Sequence, residues 1–191
     1  MIGGRLRRLL ADERGYSLIE LLQVTIILGV IMAALTALFV QASNAELDMN
    51  RRFQAQQQAR VAVDRMRREI HCSSGISPTG TSASISATIP RQCPTSGGTS
   101  DIVVTYRTVF VSTGRYALER QVGAQPIAKL ADYIRDPDGD GVAKVFTYTG
   151  PTQTSLGKLR VDLPINIQPP GSGSNWELVA DMVLRNTSRL P

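Results

Sequence analysis

From Leu21 to Val40 the chain runs for twenty residues without a charge, and only Gln23, Thr25 and Thr36 are polar among them. At a rise of about 1.5 Å per residue this makes about 30 Å of helix, the thickness of a bilayer's hydrocarbon core. No other stretch restricts the fold as much. Glu20 stands at its edge, where a lone carboxylate costs a few kcal/mol on insertion scales and so calls for a partner or a task. A basic segment carrying Arg5, Arg7, Arg8 and Arg14 precedes it and ends at Gly15. These positives place residues 1–15 on the cytoplasmic side and everything after Val40 outside. A cleaved secretory signal fits poorly, because no Ala-x-Ala site follows a short apolar core. An uncleaved signal anchor with a chance glutamate is the plain alternative.

The residues Gly15, Tyr16-Ser-Leu-Ile-Glu20 and the apolar run behind them resemble the class III signal of type IV pilins and type II secretion pseudopilins. In that family a short basic leader ends in glycine, an aromatic residue follows, and a glutamate holds the fifth mature position. Gly15 would be the last leader residue, Tyr16 the first mature one and Glu20 the fifth, while Gly29 falls where the family often has a helix glycine. Tyr16 replaces the commoner Phe, Ser17 a Thr, and Gln23 an apolar residue. The resemblance covers about 25 of the 191 residues. It implies cleavage after Gly15 and N-methylation of Tyr16 by a prepilin peptidase, then passage through a membrane assembly platform into a filament of other pilins or pseudopilins. In the family the subunit lacking this glutamate is typically the one at the tip, so Glu20 implies a place below it. In an apolar filament core a lone Glu20 is costly, whereas opposite the Tyr16 amine of a neighbouring subunit both charges are paired, which fixes axial register.

The helical pattern continues past the membrane. Met49, Phe53, Gln56, Ala59, Val63, Met66 and Ile70 recur at threes and fours and share one face. Arg51, Arg52, Gln57, Gln58, Arg60, Arg67 and Arg68 take the opposite face. Asp64 with Arg68, and Arg65 with Glu69, stand four apart as surface pairs, each contributing a few tenths of a kcal/mol. No proline falls between Tyr16 and Ile70, so a single helix of roughly 55 residues is expected, its first half in lipid or filament core and its second backing a head. The segment Gln58–Ile70 also resembles the corresponding helix of minor pilins of the PilW and secretion-pseudopilin J type.

After Cys72 the composition shifts to Ser, Thr, Gly and Pro through residue 100, the mark of a long loop with at most a minor strand at Ile85, Ala87 and Ile89. Cys72 and Cys93, both in a segment expected outside the cytoplasm, suggest a disulfide that contributes about 3 kcal/mol by chain entropy; two buried free thiols are the alternative. From Asp101 the period becomes two. Ile102, Val104, Tyr106, Thr108 and Phe110 face one way, Ser112-Thr-Gly114 is a turn, and Arg115–Arg120 returns as the partner of a hairpin. Lys144–Thr149 reads as a third strand. Leu159, Val161, Leu163, Ile165 and Ile167 mark a fourth, in which Pro164 argues for an edge or a bulge. Trp176, Leu178, Ala180, Met182 and Leu184 form one face of the last. One helix followed by a run of strands gives an α+β fold, an antiparallel sheet laid on the long N-terminal helix. The expected organisation is a leader at 1–15, a transmembrane or filament-core half at 16–41, an amphipathic half at 42–72 and a β-sheet head at 73–191. That layout resembles the pilin architecture, and the closing Val183–Asn186 again resembles the PilW-type head.

Asp136-Pro-Asp-Gly-Asp-Gly141 places carboxylates at alternate positions 1, 3 and 5 with glycine at 6, the spacing of the first half of an EF-hand loop. The twelfth position is Thr147, so the bidentate glutamate is missing. Asp136, Asp138 and Asp140 are therefore either calcium ligands completed from elsewhere or a solvated turn. Catalysis has little to draw on. His71 is the only histidine, no Ser-His-Asp or His-rich metal set can be assembled, and a helix-end His is ordinarily held by the dipole. No enzyme is expected. Tyr106, Tyr116 and Tyr148 with Arg107 and Arg115 have the makings of a base-stacking surface, but alternating strand aromatics are more often core, which argues against DNA as a partner. Net charge is +5, of which the leader carries two, leaving about +3 on the remainder, too little to argue for nucleic acid. The reading is a minor pilin or type II secretion pseudopilin, in contact with lipid before assembly. Its rival is a permanently membrane-anchored calcium-binding surface adhesin.

Overall fold

The computed structural model describes residues 17–98, 100–136, 138–168 and 176–186. Gly15, Tyr16 and the leader lie outside the described residues, as does Pro137 within the aspartate-rich segment. Helix α1 runs Leu18–Cys72 over 55 residues, the length expected from the absence of proline. Strands β1 (Gly75–Ser77), β2 (Gly80–Ser82), β3 (Ser84–Ile89), β4 (Ile102–Ser112), β5 (Arg115–Val122), β6 (Ala128–Ile134), β7 (Phe146–Thr149), β8 (Lys158–Ile165) and β9 (Trp176–Val183) follow, with a short 3₁₀ turn at Pro94–Ser96. The layout is α+β.

The chain divides into two compact units, one up to Leu47 and one from Asp48 onward. In the first, Leu21, Val24, Ile27, Leu28, Ile31 and Leu35 are all exposed, and this is the one helical stretch among the described residues long and apolar enough to cross a membrane. Thr25 and Thr36 return their hydroxyls to the Leu22 and Met32 carbonyls at 2.9 and 2.8 Å, so these two hydroxyls ask nothing of an apolar surrounding.

In the second unit the sheet packs on the end of α1. Ala55, Ala59, Ala62, Val63, Met66 and Ile70 of the helix join Ile85, Ile89, Val104, Leu118, Phe146, Leu159, Leu163 and Met182 in a single core. The expected face holds from Ala59 to Ile70, but Met49 and Phe53 are exposed: the stripe extends one to two turns beyond the sheet that covers it. Small alanines at 55, 59 and 62 let the strands approach closely.

Residues 73–98 are more ordered than their composition suggests. β3 alternates as its sequence does, with Ile85, Ala87 and Ile89 buried. β1 and β2, three residues each and rich in Gly and Ser, carry no periodic signal of their own and are strands only because β3 and β7 pair with them. Cys72 and Cys93 are bonded, with Cα atoms 6.2 Å apart, tying the helix end to the 3₁₀ turn.

The sheet is antiparallel, ordered β1-β3-β4-β5-β6-β8-β7-β2, with β9 on the other side of β8. The β4–β5 hairpin turns through Thr113 and Gly114, the glycine at φ 65° in the left-handed region that residue tolerates. Strand β6 goes unseen in the sequence, since Ala131, Asp132 and Ile134 are buried and the period of two is broken. The expectation of an edge or bulge at Pro164 is corrected: β8 is interior, flanked by β9 along one side and by β7 and then β6 along the other. Pro164 sits where the neighbour changes from β7 to β6, and its carbonyl still accepts the Arg135 N–H at 2.7 Å. The missing N–H costs the ladder one donor, at the place where β7 has ended and β6 begins.

Candidate functional site

Two places concentrate the polar chemistry, the N-terminus of α1 and the contact of its last turns with β4 and β5. At the first, the Glu20 N–H donates to Ser17 Oγ at 3.3 Å and the Ser17 N–H donates to Glu20 Oε2 at 3.0 Å. This is a reciprocal capping box, Ser17-x-x-Glu20, which satisfies two of the donors that every helix start leaves open. The spacing is legible in the sequence. Glu20 thus has a partner inside its own chain, and the helix dipole favours its charge there. The cap contributes about 1 kcal/mol, short of the few kcal/mol that a carboxylate in an apolar medium costs.

The second place is buried. Glu69, read from its i, i+4 spacing as the surface partner of Arg65, is instead 2% exposed. Arg120 of β5 grips it with Nη2 2.8 Å from Oε1 and Nε 3.0 Å from Oε2. The Tyr106 hydroxyl of β4 donates to the same Oε2, and Arg65 reaches Oε1 only at 3.6 Å. Tyr106 and Arg120 stand directly opposite on β4 and β5, so two neighbouring strands close on one helix carboxylate. Burial first, and then the Glu69 carboxylate, push the Tyr106 phenol far above its ordinary value. Burial works against the Arg120 charge, and the bonds to Glu69 more than restore it. The arrangement is a structural clamp. Asp64 pairs with Arg67 at 3.3 Å instead of with Arg68.

The three tyrosines considered for base stacking are buried, Tyr106 fully and Tyr116 and Tyr148 at 5%, so they offer no face to a base. Arg107 is paired with Glu119 and Arg115 with Asp132. His71 donates from Nδ1 to the Val183 carbonyl at 2.6 Å, closing the helix end on β9.

In the aspartate-rich segment the carboxylates of Asp136 and Asp140 bind the loop's own backbone. Asp136 accepts the N–H groups of Asp138 at 3.1 Å and Gly141 at 2.7 Å. Asp140 accepts the Val142 N–H at 3.0 Å and holds the Lys144 ammonium, which, followed by that N–H, keeps its carboxyl below the usual range. Gly139 and Gly141 take positive φ to let the chain fold back. Thr147, at the twelfth position, is in β7 with its hydroxyl 3.2 Å from that of Thr81. Among the described residues no group of three or more His, Cys, Asp or Glu is placed to hold a metal ion. As it stands the segment is a hydrogen-bonded turn.

Neither a protein-family model, nor a curated protein, nor a solved structure matches the chain.

Proposed function

We propose that this chain is a minor pilin, a structural subunit of a type IV pilus-type filament, with the pseudopilin of a type II secretion system as the nearest variant of the same role. One observation carries the reading. A single 55-residue helix begins at a carboxylate-bearing N-terminus, exposes an apolar stretch of membrane-spanning length, and ends as the inner layer of a disulfide-tied antiparallel sheet. The head's core uses this helix only from Ala55 onward, where its buried contacts begin, so the apolar part before it adds nothing to that core. The apolar stretch is surface in search of a partner, first lipid and then the equivalent helices of other pilins.

In this reading the head lies outside the cytoplasm, where a disulfide persists. Prepilin peptidase cuts between Gly15 and Tyr16 and methylates the new amine, and the assembly platform lifts the subunit into the filament. Glu20 then has two successive partners. In the membrane it is held by Ser17; in the filament the Tyr16 amine of a neighbour supplies the opposite charge that the cap lacks. The anchored-adhesin alternative is weakened by the inward-turned carboxylates of Asp136 and Asp140.

The test is co-expression with a prepilin peptidase and intact-mass measurement. Loss of residues 1–15 with one added methyl group is expected, and retention of Met1 would overturn the reading. Glu20→Gln separates the two roles of that side chain. Glutamine completes a capping box as glutamate does, so the helix should form and processing should proceed, while incorporation into filaments falls sharply. Undiminished incorporation of the variant would refute the charge-pairing role.

A further inference from the structure

A cleft of about 220 Å³ opens at the end of the β4–β5 hairpin, lined in part by Ser112, Thr113, Arg115, Tyr133, Arg135 and Asn166. Its floor is rigidly built. Tyr133 is the one described non-glycine residue with positive φ, at 60°, a conformation that persists for a bulky side chain only where the surroundings impose it. They do so here through Asp132. Its Oδ1 accepts the Tyr133 N–H at 2.7 Å and Arg115 Nε at 2.9 Å, while Arg115 Nη2 binds Oδ2 at 2.6 Å. The Arg115 guanidinium in turn lies over the Tyr133 ring, 4.1 Å from its centroid. Lys129 also pairs with Asp132, so that carboxylate already serves two cations.

Arg135 is differently placed. It donates from Nη1 to the Gly114 carbonyl and takes part in none of the ion pairs among the described residues. Asp136, next in the chain, is turned to the Asp138 and Gly141 N–H groups. Burial works against the Arg135 charge, and a guanidinium has five donors, of which a carbonyl takes one. A half-buried cation with donors to spare, hydroxyls and an amide around it, and a wall held in a strained conformation is the composition of a preformed anion site.

We propose that this cleft binds a small ligand carrying a carboxylate or phosphate group, held by Arg135 and oriented by the polar rim of Ser112, Thr113 and Asn166. The volume is below that of pockets for drug-sized molecules, which run upward from about 300 Å³, so the ligand is an inorganic oxyanion or a single acidic sugar. Arg115 is a positioning residue, spent on Asp132 and on the Tyr133 ring.

The test uses the full chain in detergent micelles, titrated calorimetrically with inorganic phosphate and, separately, with glucuronate, at ionic strength held constant with sodium chloride to remove non-specific screening. Saturable binding of at least one of the two is expected, with Kd on the order of millimolar, and the stronger arm names the group. Arg135→Gln should weaken it at least tenfold with an unchanged thermal melt. Thr113→Trp, at an exposed turn position, should abolish it by filling the cleft, and it serves where the arginine variant misfolds. Heats that never saturate with either ligand, or binding of equal strength in Arg135→Gln, would overturn the proposal.

Discussion

Replacing Arg120 by methionine is the sharpest test of the clamp at the end of α1. Methionine keeps most of the buried stem of the side chain while removing the guanidinium. Glu69, 2% exposed, then loses its bidentate partner and retains only the Tyr106 hydroxyl and Arg65 at 3.6 Å. Breaking a buried pair from one side costs about 3–5 kcal/mol, most of it the penalty for an uncompensated charge. Arg65 is half-exposed and can move closer, so the lower end, about 3 kcal/mol, is expected. Against a total stability of about 5–15 kcal/mol this is a large fraction. The assay is urea unfolding of the full chain in micelles, followed through Trp176, the only tryptophan, whose ring lies 5.7 Å from the Arg60 guanidinium of α1 and so reports separation of the helix from β9. With a slope of about 2 kcal/mol per molar urea the midpoint should fall by about 1.5 M. Glu69→Gln combined with Arg120→Met removes both charges, and the pair should recover about 2 kcal/mol relative to additivity. A midpoint shift under about 0.3 M in the single variant, or strict additivity in the double, would refute the argument.

Two further outcomes follow from the same unit. Cys93→Ser should lower its stability by about 3 kcal/mol by chain entropy, with faster hydrogen exchange concentrated in residues 73–100, and exchange unchanged there would show that β3 holds the segment unaided. Asp162 has an Oδ1 that is buried without a hydrogen-bond partner, and burial first, then neighbouring Glu177, raise its pKa above the ordinary carboxylate value. A raised folded-state pKa means that its contribution is fully present below about pH 4 and is lost as pH rises through the folded value. Asp162→Asn should therefore melt higher than the parent at pH 7, the gap closing toward pH 4, and a gap independent of pH would contradict the assignment.

Local physics fixes a good part of this molecule. Twenty uncharged residues and the absence of proline dictate a long helix, because every backbone group in an apolar medium must be satisfied within the segment. The Ala59–Ile70 stripe, the β4–β5 hairpin around Gly114 and the faces of β8 and β9 follow from periods of 3.6 and two, which depend only on where successive Cβ atoms point. The Ser17–Glu20 cap was equally legible, being a matter of three residues' spacing. What the tertiary structure decided is which side chains lose their water. Glu69 and Arg65 satisfy the i, i+4 rule of a surface pair, and no local pattern says that β4 and β5 will cover the carboxylate and meet it with Tyr106 and Arg120, 37 and 51 residues away in sequence. Met49 and Phe53 continue the apolar stripe and stay exposed because the sheet ends before it reaches them. β1 and β2 exist only as partners of β3 and β7. The strained turn at Tyr133 is held by an arginine from the adjacent strand. Spacing reports direction, whereas burial depends on what the rest of the chain brings to that direction, and that sum over distant residues is made only when the sheet closes on the helix.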